Sequence, residues 1–461
     1  MTSPKLTRAV LDEHADRRRR LTQTVNKPIL LMGNGHRPRN LPMSSVAFRQ
    51  DSTFLYFTGC TEPGAAVVLD GSESTLYLRP PADDDALWHG HSETIEQTAA
   101  LYGFERARPI DCLDGDVSRI GPIATIAVPD LAQTQRAARL SSQHLSFGTA
   151  NGDVDLIEAI ITMRRILSTS EIETMRQTAQ VTRGAHIAAM RATRPGVTEQ
   201  HLASEFHNVV MHAGLTLAYP SIVTVRGEVL HNFHHSNCLQ AGDLLLLDGG
   251  AESSGGYATD VTRTWPVTGS FSAQQRSAYD AVLESQLSGI NLVRSGTRYR
   301  DIHMHCARVI AQFLADEGLI TCDPDLAVEA GAHALFFPHG VGHLIGLDVH
   351  DLENFGDKAA YGRGRTRSGQ FGTAYLRLDL DLEPGMVVTI EPGFYVVPAI
   401  LGNASLRAEF NTMVNFDKAE SWLGFGGIRI EDDVAVTHSV PDVLTAGIPK
   451  SIAELEAVIS G

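Results

Sequence analysis

The chain has 461 residues, 43% of them hydrophobic, which is ample for a large core spread over about two or three domains. A formal net charge of −16 argues against a general nucleic-acid binder. The five cysteines, at 60, 112, 238, 306 and 322, show neither metal-ligand spacing nor a disulfide framework. No apolar run follows the first basic residues as in a secretory signal, and no stretch approaches the ~20 apolar residues of a membrane span. The expected location is a reducing cytoplasm.

Residues 7–25 pattern as a helix carrying RRRR at 17–20. Acids at 12, 13 and 16 precede the run, so it is expected on the wet face of that helix. PILLMGNG reads as a strand, and its GNG lacks the Lys-Ser/Thr of a phosphate loop. FRQDSTFLYFTGCTEPGAAVVLD, from Phe48 to Asp70, reads as aromatic strand material with a glycine-proline turn. Short strands and helices alternate to about 150. Long helices follow, and Ser170 with Glu173 fits a capping box, so one helix is expected to start near 171. A boundary between 150 and 170 gives an α/β chain with domains 1–165 and 166–461. Further helices are expected after Pro195-Gly196, from Ala273 to Ser295 and from Tyr299 to Glu317. The segments 353–380 and 398–425 read as solvated insertions, with a lid or an oligomer contact as the alternatives.

FFPHGVGHLIGLDVHD, from Phe336 to Asp351, holds His339, His343 and His350 threaded with glycines. HxxxH would suit a zinc helix, but the glutamate after the first histidine is missing. Glycines at 340, 342 and 346 would each cost a helix roughly 1 kcal/mol. An extended or looping segment is expected instead. Positions four apart then share a face, so His339 and His343 can look into one cavity. For any single histidine here, a solvated or core position is an equal reading.

Four acids end apolar or β-rich runs. LLLLD ends at Asp248, a glycine-rich turn follows, and YATDVTRTWPV carries Asp260. That hairpin brings the two aspartates together. MVVTIEPG carries Glu391, and GGIRIEDDVAV puts Glu431 in another strand, on one face with Arg429. A lone acid at a strand end is ordinarily a turn or cap residue. Four of them with a glycine-flanked histidine argue for metal, because buried acids are costly unless paired or metal-bound. Asp248, Asp260, Glu391 and Glu431 would balance two divalent ions, and His343 adds a neutral nitrogen. Oxygen-rich ligation favours Mn²⁺, with Zn²⁺ and Co²⁺ as alternatives.

The order Asp, Asp, His, Glu, Glu in these segments resembles the pita-bread metallopeptidases: methionine aminopeptidase, prolidase and aminopeptidase P. Phe48 to Asp70 is similar to the aminopeptidase P amino-terminal domain. The resemblance implies an N-terminal α/β domain followed by a C-terminal pita-bread catalytic domain. It implies release of the N-terminal residue from peptides with proline in second position, by a homo-oligomer, dimer or tetramer. Glu391 would also manage the proton, and His339 and His350 would bind the oxyanion and the leaving side. His231 would line the pocket, Arg429 would orient Glu431 or the pocket, and Tyr395 would be a wall residue. Trp88 would approach the site of a neighbouring subunit. Two diverged halves are implied, although no short repeat is evident. One departure is that the aspartates are twelve apart, where relatives usually have eleven. The competing readings are a prolidase restricted to Xaa-Pro dipeptides, a metal-free relative of creatinase type, and a non-catalytic binding protein on the same fold.

Overall fold

The computed structural model describes residues 6–41, 44–90 and 92–460. It divides into two units, Met1–Arg165 with Leu352–Ala359, and Ile166–Asp351 with Ala360–Gly461.

In the N-terminal unit, α1 spans Arg8–Thr24 and α2 spans Ser52–Thr58. The strands are β1 (Ile29–Met32), β2 (Ala66–Asp70), β3 (Glu73–Leu78), β4 (Arg106–Pro109) and β5 (Ala124–Thr125), in sheet order β4-β3-β2-β1-β5. The all-apolar β1 is fully buried near the centre of the sheet, antiparallel to β2 and parallel to β5.

Two expectations are corrected here. DSTFLYFT is not strand material but the helix α2. The Asp51 carboxylate accepts the Phe54 N–H at 2.8 Å, and Gly59, at φ 64°, ends the helix. A cap at each end overrides the β-preference of the aromatic residues. Nor is the RRRR run a wet face throughout. Arg17 and Arg18 are buried, and they donate to the carbonyls of Tyr56 at 3.2 Å and Phe57 at 2.9 Å. Those carbonyls belong to the last turn of α2, where helical acceptors lack partners. The same guanidiniums lie over the Tyr56 and Phe104 rings, each 4.0 Å from the centroid. Asp51→Ala should therefore destabilise this unit by about 1 kcal/mol, read from its denaturation midpoint, and Asp51→Asn should retain most of the wild-type stability.

The C-terminal unit repeats one plan, a packed helix pair followed by antiparallel strands. The first pair is α3 (Thr169–Ala192) with α4 (Glu199–His212), and the second is α5 (Ala273–Asn291) with α6 (Tyr299–Asp316). The capping box of α3 is formed by Ser168 and Glu171, two residues upstream of the expected pair. After the first pair come β6 (Ile222–Thr224), β7 (Leu244–Asp248) and β8 (Thr262–Pro266), in sheet order β8-β7-β6. The run LLLLD is the central strand and is buried along its length.

After the second pair come β9 (Val387–Ile390), β10 (Gly393–Tyr395), β11 (Gly427–Arg429) and β12 (Asp432–Ala435). β9 pairs with β12 and β10 with β11, both antiparallel and in one continuous register, interrupted between Ile390–Asp432 and Gly393–Arg429. Pro392 lies in that interruption and has no N–H to give. The shared register sets Glu391 opposite Glu431 at the break. Glu431 therefore sits between strands β11 and β12, not within a strand where its sequence had suggested it would lie.

Segment 398–425 is not a solvated insertion. It folds into three short helices whose Phe410, Phe416 and Trp422 are buried, with Trp422 against Phe313, Phe394 and Phe425. Within 360–380, Tyr361, Leu376 and Leu378 are buried too. Apolar residues scattered among polar and glycine positions gave both segments a solvated look. Among the described residues, no helix is long and apolar enough to cross a membrane.

Candidate metal centre

The histidine segment is a loop, as its glycines require. Gly342 has φ 149°, and a Cβ there would lie 2.4 Å from the Thr389 carbonyl and 2.4 Å from the Tyr299 hydroxyl. This close passage pins the loop to β9: the His343 N–H donates to Thr389 Oγ1 at 3.1 Å, and the Thr389 N–H donates to the His343 carbonyl at 3.0 Å. His339 and His343 consequently both approach Glu391. His339 Nδ1 is 3.9 Å and His343 Nε2 is 3.5 Å from its carboxylate oxygens.

The β7–β8 hairpin supplies the aspartates. Asp248 ends β7 opposite Thr262, and Asp260 lies two residues before Thr262. The Tyr219 hydroxyl spans both, 2.6 Å from Asp248 and closer still to Asp260. Thr262 Oγ1 donates to Glu431 at 2.6 Å, and the Glu431 N–H donates to the Thr262 carbonyl at 3.1 Å. These bonds join the two strand systems. Asp260, His343 and Glu431 each offer a ligand atom within 4.8 Å of the others. Asp248 and Glu391 adjoin them through Tyr219 and His343.

Electrostatics favour a bound cation. Burial pushes Glu391 up to about 8 and raises Asp248, Asp260 and Glu431 above the usual carboxylate range. Neighbouring carboxylates add to burial at Asp248, Glu391 and Glu431, and Arg429 opposes it at all four. Arg377 is a second cation felt at Glu391, which leaves four carboxylates against two guanidiniums. His343 gives the clearest sign. Its Nδ1–H donates to the Leu344 carbonyl at 3.0 Å, and Nε2 faces Asp260 at 3.4 Å and Glu391 at 3.5 Å. A ring nitrogen and carboxylates so placed need a proton or a cation between them, and a carbonyl on the far nitrogen is the usual support of a metal-bound imidazole. Hard oxygens with one imidazole fit a divalent ion.

Around this centre, Arg429 donates to Asp248, to Thr262 Oγ1 at 3.0 Å and to the Tyr395 hydroxyl at 3.1 Å. It reaches Glu431 only through Thr262. Tyr395 in turn meets His339 Nε2 at 2.8 Å, while His339 Nδ1 meets the Gly340 carbonyl at 2.8 Å. Arg429 can only donate, so the tyrosine proton goes to Nε2 and the histidine proton sits on Nδ1. Burial and Arg429 lower His339 to about 3, and burial and His343 lower His350 to about 3, which keeps both neutral near pH 7. The His350 ring meets His343 edge-on at 4.4 Å. His231 is exposed and stacked on Phe233, and it feels the charges of Arg429, Arg377 and Asp248.

Trp88 belongs to the N-terminal unit, is 61% exposed, and donates its indole N–H to Asp84 at 3.1 Å. The sequence reading missed Tyr219, Thr262, Thr389 and Arg377. Strand alternation carried a signal for two of them, since Thr262 shares a face with Asp260 and Thr389 with Glu391. Tyr219 and Arg377 lie in irregular segments and carried none.

Two strand systems that converge acids and an imidazole on one buried cavity define a metal-dependent pita-bread hydrolase. The chain belongs to metallopeptidase family M24, whose model matches residues 173–438, and the aminopeptidase P N-terminal domain matches 14–122. It is 32% identical to the Xaa-Pro aminopeptidase of Haemophilus influenzae, over 97% of each chain. It is 31% identical to the human Xaa-Pro dipeptidase, over 94% of this chain and 88% of that one. The solved structure of Pseudomonas aeruginosa aminopeptidase PepP superposes with a TM-score of 0.81, at 30% identity over 98% of each chain.

Proposed function

We propose that this chain is an Xaa-Pro aminopeptidase, which hydrolyses the bond between the first residue of a peptide and a proline in second position. The observation that carries this reading is His343 Nε2 aimed at Asp260 and Glu391, in a chain matched over 97% of its length to such an enzyme. Asp248, Asp260, His343, Glu391 and Glu431 would hold two divalent ions, with Mn²⁺ the first choice and Zn²⁺ or Co²⁺ the alternatives. Two such ions, when bound, supply Lewis-acid polarisation of the scissile carbonyl and activation of water.

The chain's own residues bind, orient and move protons. Glu391, facing both His339 and His343, carries the proton from water to the departing amine. His339 and His350 hold the substrate on the oxyanion and leaving sides. Arg429 fixes the wall by tying Asp248 to Tyr395 and, through Tyr395, to His339. His231 meets the incoming peptide at the exposed rim. A proline in second position has no N–H, so the pocket needs no acceptor there and recognises ring shape. Trp88 contributes from a neighbouring subunit of a dimer or tetramer, and the enzyme works in the cytoplasm. Residues 1–165 and 166–461 are its two domains.

Xaa-Pro-Yaa peptides should be cut at the first bond. Replacing that proline by alanine should lower kcat/KM at least about tenfold, some 1.4 kcal/mol. Equal rates on both peptides would refute proline specificity. A second reading, cleavage of Xaa-Pro dipeptides alone, is favoured by the match to the human dipeptidase and by Arg377, whose charge reaches His231 and His339. A dipeptide would present a free carboxylate beside the proline. Comparing a dipeptide with its tripeptide decides, since the second reading requires the tripeptide to remain intact.

A further inference from the structure

A cavity of about 240 Å³ lies in the C-terminal unit, and none of the proposed metal or catalytic residues lines it. Arg298 and Arg300 face it at the start of α6, with Asp379, Ser368 and Thr373 around them. Its volume is below the ~300–1,000 Å³ of pockets for drug-sized ligands, which limits an occupant to a few non-hydrogen atoms beyond a single functional group.

Charge decides which chemistry fits. Arg298 is matched by Asp379 through two bonds of 2.6 Å, one to each carboxylate oxygen. Arg365 stands 3.6 Å from Asp379 but has its own partner in Asp381 at 2.8 Å. Arg300 is different: among the described residues its guanidinium makes no hydrogen bond or ion pair, and it is half-buried. The lining therefore holds one unmatched positive charge beside the Ser368 hydroxyl, which accepts from Thr373 Oγ1 at 3.0 Å and the Gln370 N–H at 3.1 Å and keeps its own proton to donate. A metal cation would be repelled, and an apolar molecule would leave the guanidinium unpaired. Guanidinium forks with neighbouring hydroxyls suit the oxygens of a carboxylate or of a tetrahedral oxyanion. The wall is firm. The Leu376 carbonyl, at its edge, accepts from Tyr361 at 2.7 Å and from Arg367 at 2.8 Å.

We propose that this cavity is a binding site for a small oxyanion, a carboxylate or a sulfate-like group, held by Arg300 with Ser368, and separate from the metal centre. The test is isothermal titration of the full-length, metal-loaded protein with sodium acetate and, separately, sodium sulfate, at ionic strength held constant with sodium chloride. At least one anion should bind, and Arg300→Ala should weaken that binding at least about tenfold, equal to about 1.4 kcal/mol. Arg300→Lys should fall between. Anion bound at the metals would survive Arg300→Ala, so the two locations are distinguishable. Ser368→Ala, away from the helix, should weaken the same binding and guards against a folding defect in the arginine variant. Response to acetate alone identifies a carboxylate ligand, and response to sulfate alone a tetrahedral one. If neither anion binds, or wild type and Arg300→Ala bind alike, the proposal is overturned.

Discussion

His343→Ala should lose at least one bound ion and with it nearly all activity, whereas His339→Ala should keep its metal and lose about 10²- to 10³-fold in kcat. The two histidines are four residues apart in one loop and both approach Glu391, yet their hydrogen bonds differ. His343 spends Nδ1 on the Leu344 carbonyl and directs Nε2 at two carboxylates. His339 spends Nδ1 on the Gly340 carbonyl and Nε2 on the Tyr395 hydroxyl. It can donate to a substrate oxyanion only by releasing the tyrosine and moving its proton from Nδ1 to Nε2, which is a transient role and not a ligand's. Metal content and kcat, measured for both variants in one buffer, separate these roles. Metal loss in His339→Ala with both ions kept in His343→Ala would reverse the assignment.

Arg263→Ala should destabilise the C-terminal unit by about 3 kcal/mol, the lower end of the 3–5 typical of a broken buried ion pair. Arg263 and Asp432 have fully buried side chains 2.8 Å apart. Arg263 also donates to the carbonyls of Glu431 at 2.6 Å, Ile448 at 3.1 Å and Pro449 at 2.9 Å, all of which would lose a donor. Lys450, 2.7 Å from Asp432, remains as a partner and moderates the loss. Burial alone would raise Asp432, but Arg263 and Lys450 outweigh it and hold the carboxyl at about 2. A carboxyl depressed on folding stabilises above its unfolded value of ~3.9 and ceases to as pH falls towards the folded one. The gap between wild type and variant in denaturation midpoint should therefore persist at neutral pH and narrow between about pH 4 and pH 2. An undiminished midpoint at pH 7 would mean that the pair contributes nothing. Because Arg263 carries the backbone of Glu431, metal affinity should fall as well.

The convergence of the four acids was legible because each borders an apolar or β-rich run, a place where a carboxylate gains nothing from burial unless something binds it. His343 was legible through its glycines, which exclude a helix and let the loop pass against Thr389. Legibility failed where a partner comes from a distant segment. Nothing near Tyr219 announces that its hydroxyl spans Asp248 and Asp260, because it reaches them from an irregular loop. Arg17 and Arg18 read as surface charge because the carbonyls they cap, Tyr56 and Phe57, lie 39 residues away. The helix at Ser52–Thr58 was misread because aromatic content outweighed two capping signals, Asp51 and Gly59, that were present in the sequence. The alignment of Glu391 with Glu431 was beyond reach, since it depends on a strand register kept across the buried segment 398–425.

The most direct measurement follows an Xaa-Pro-Yaa tripeptide by mass spectrometry, with metal-loaded protein, after chelation, and after Mn²⁺ is restored. The account predicts free Xaa and intact Pro-Yaa with the loaded protein, no cleavage after chelation, and recovery with the ion. An intact tripeptide in all three samples, or the same products at the same rate from metal-stripped protein, would contradict it.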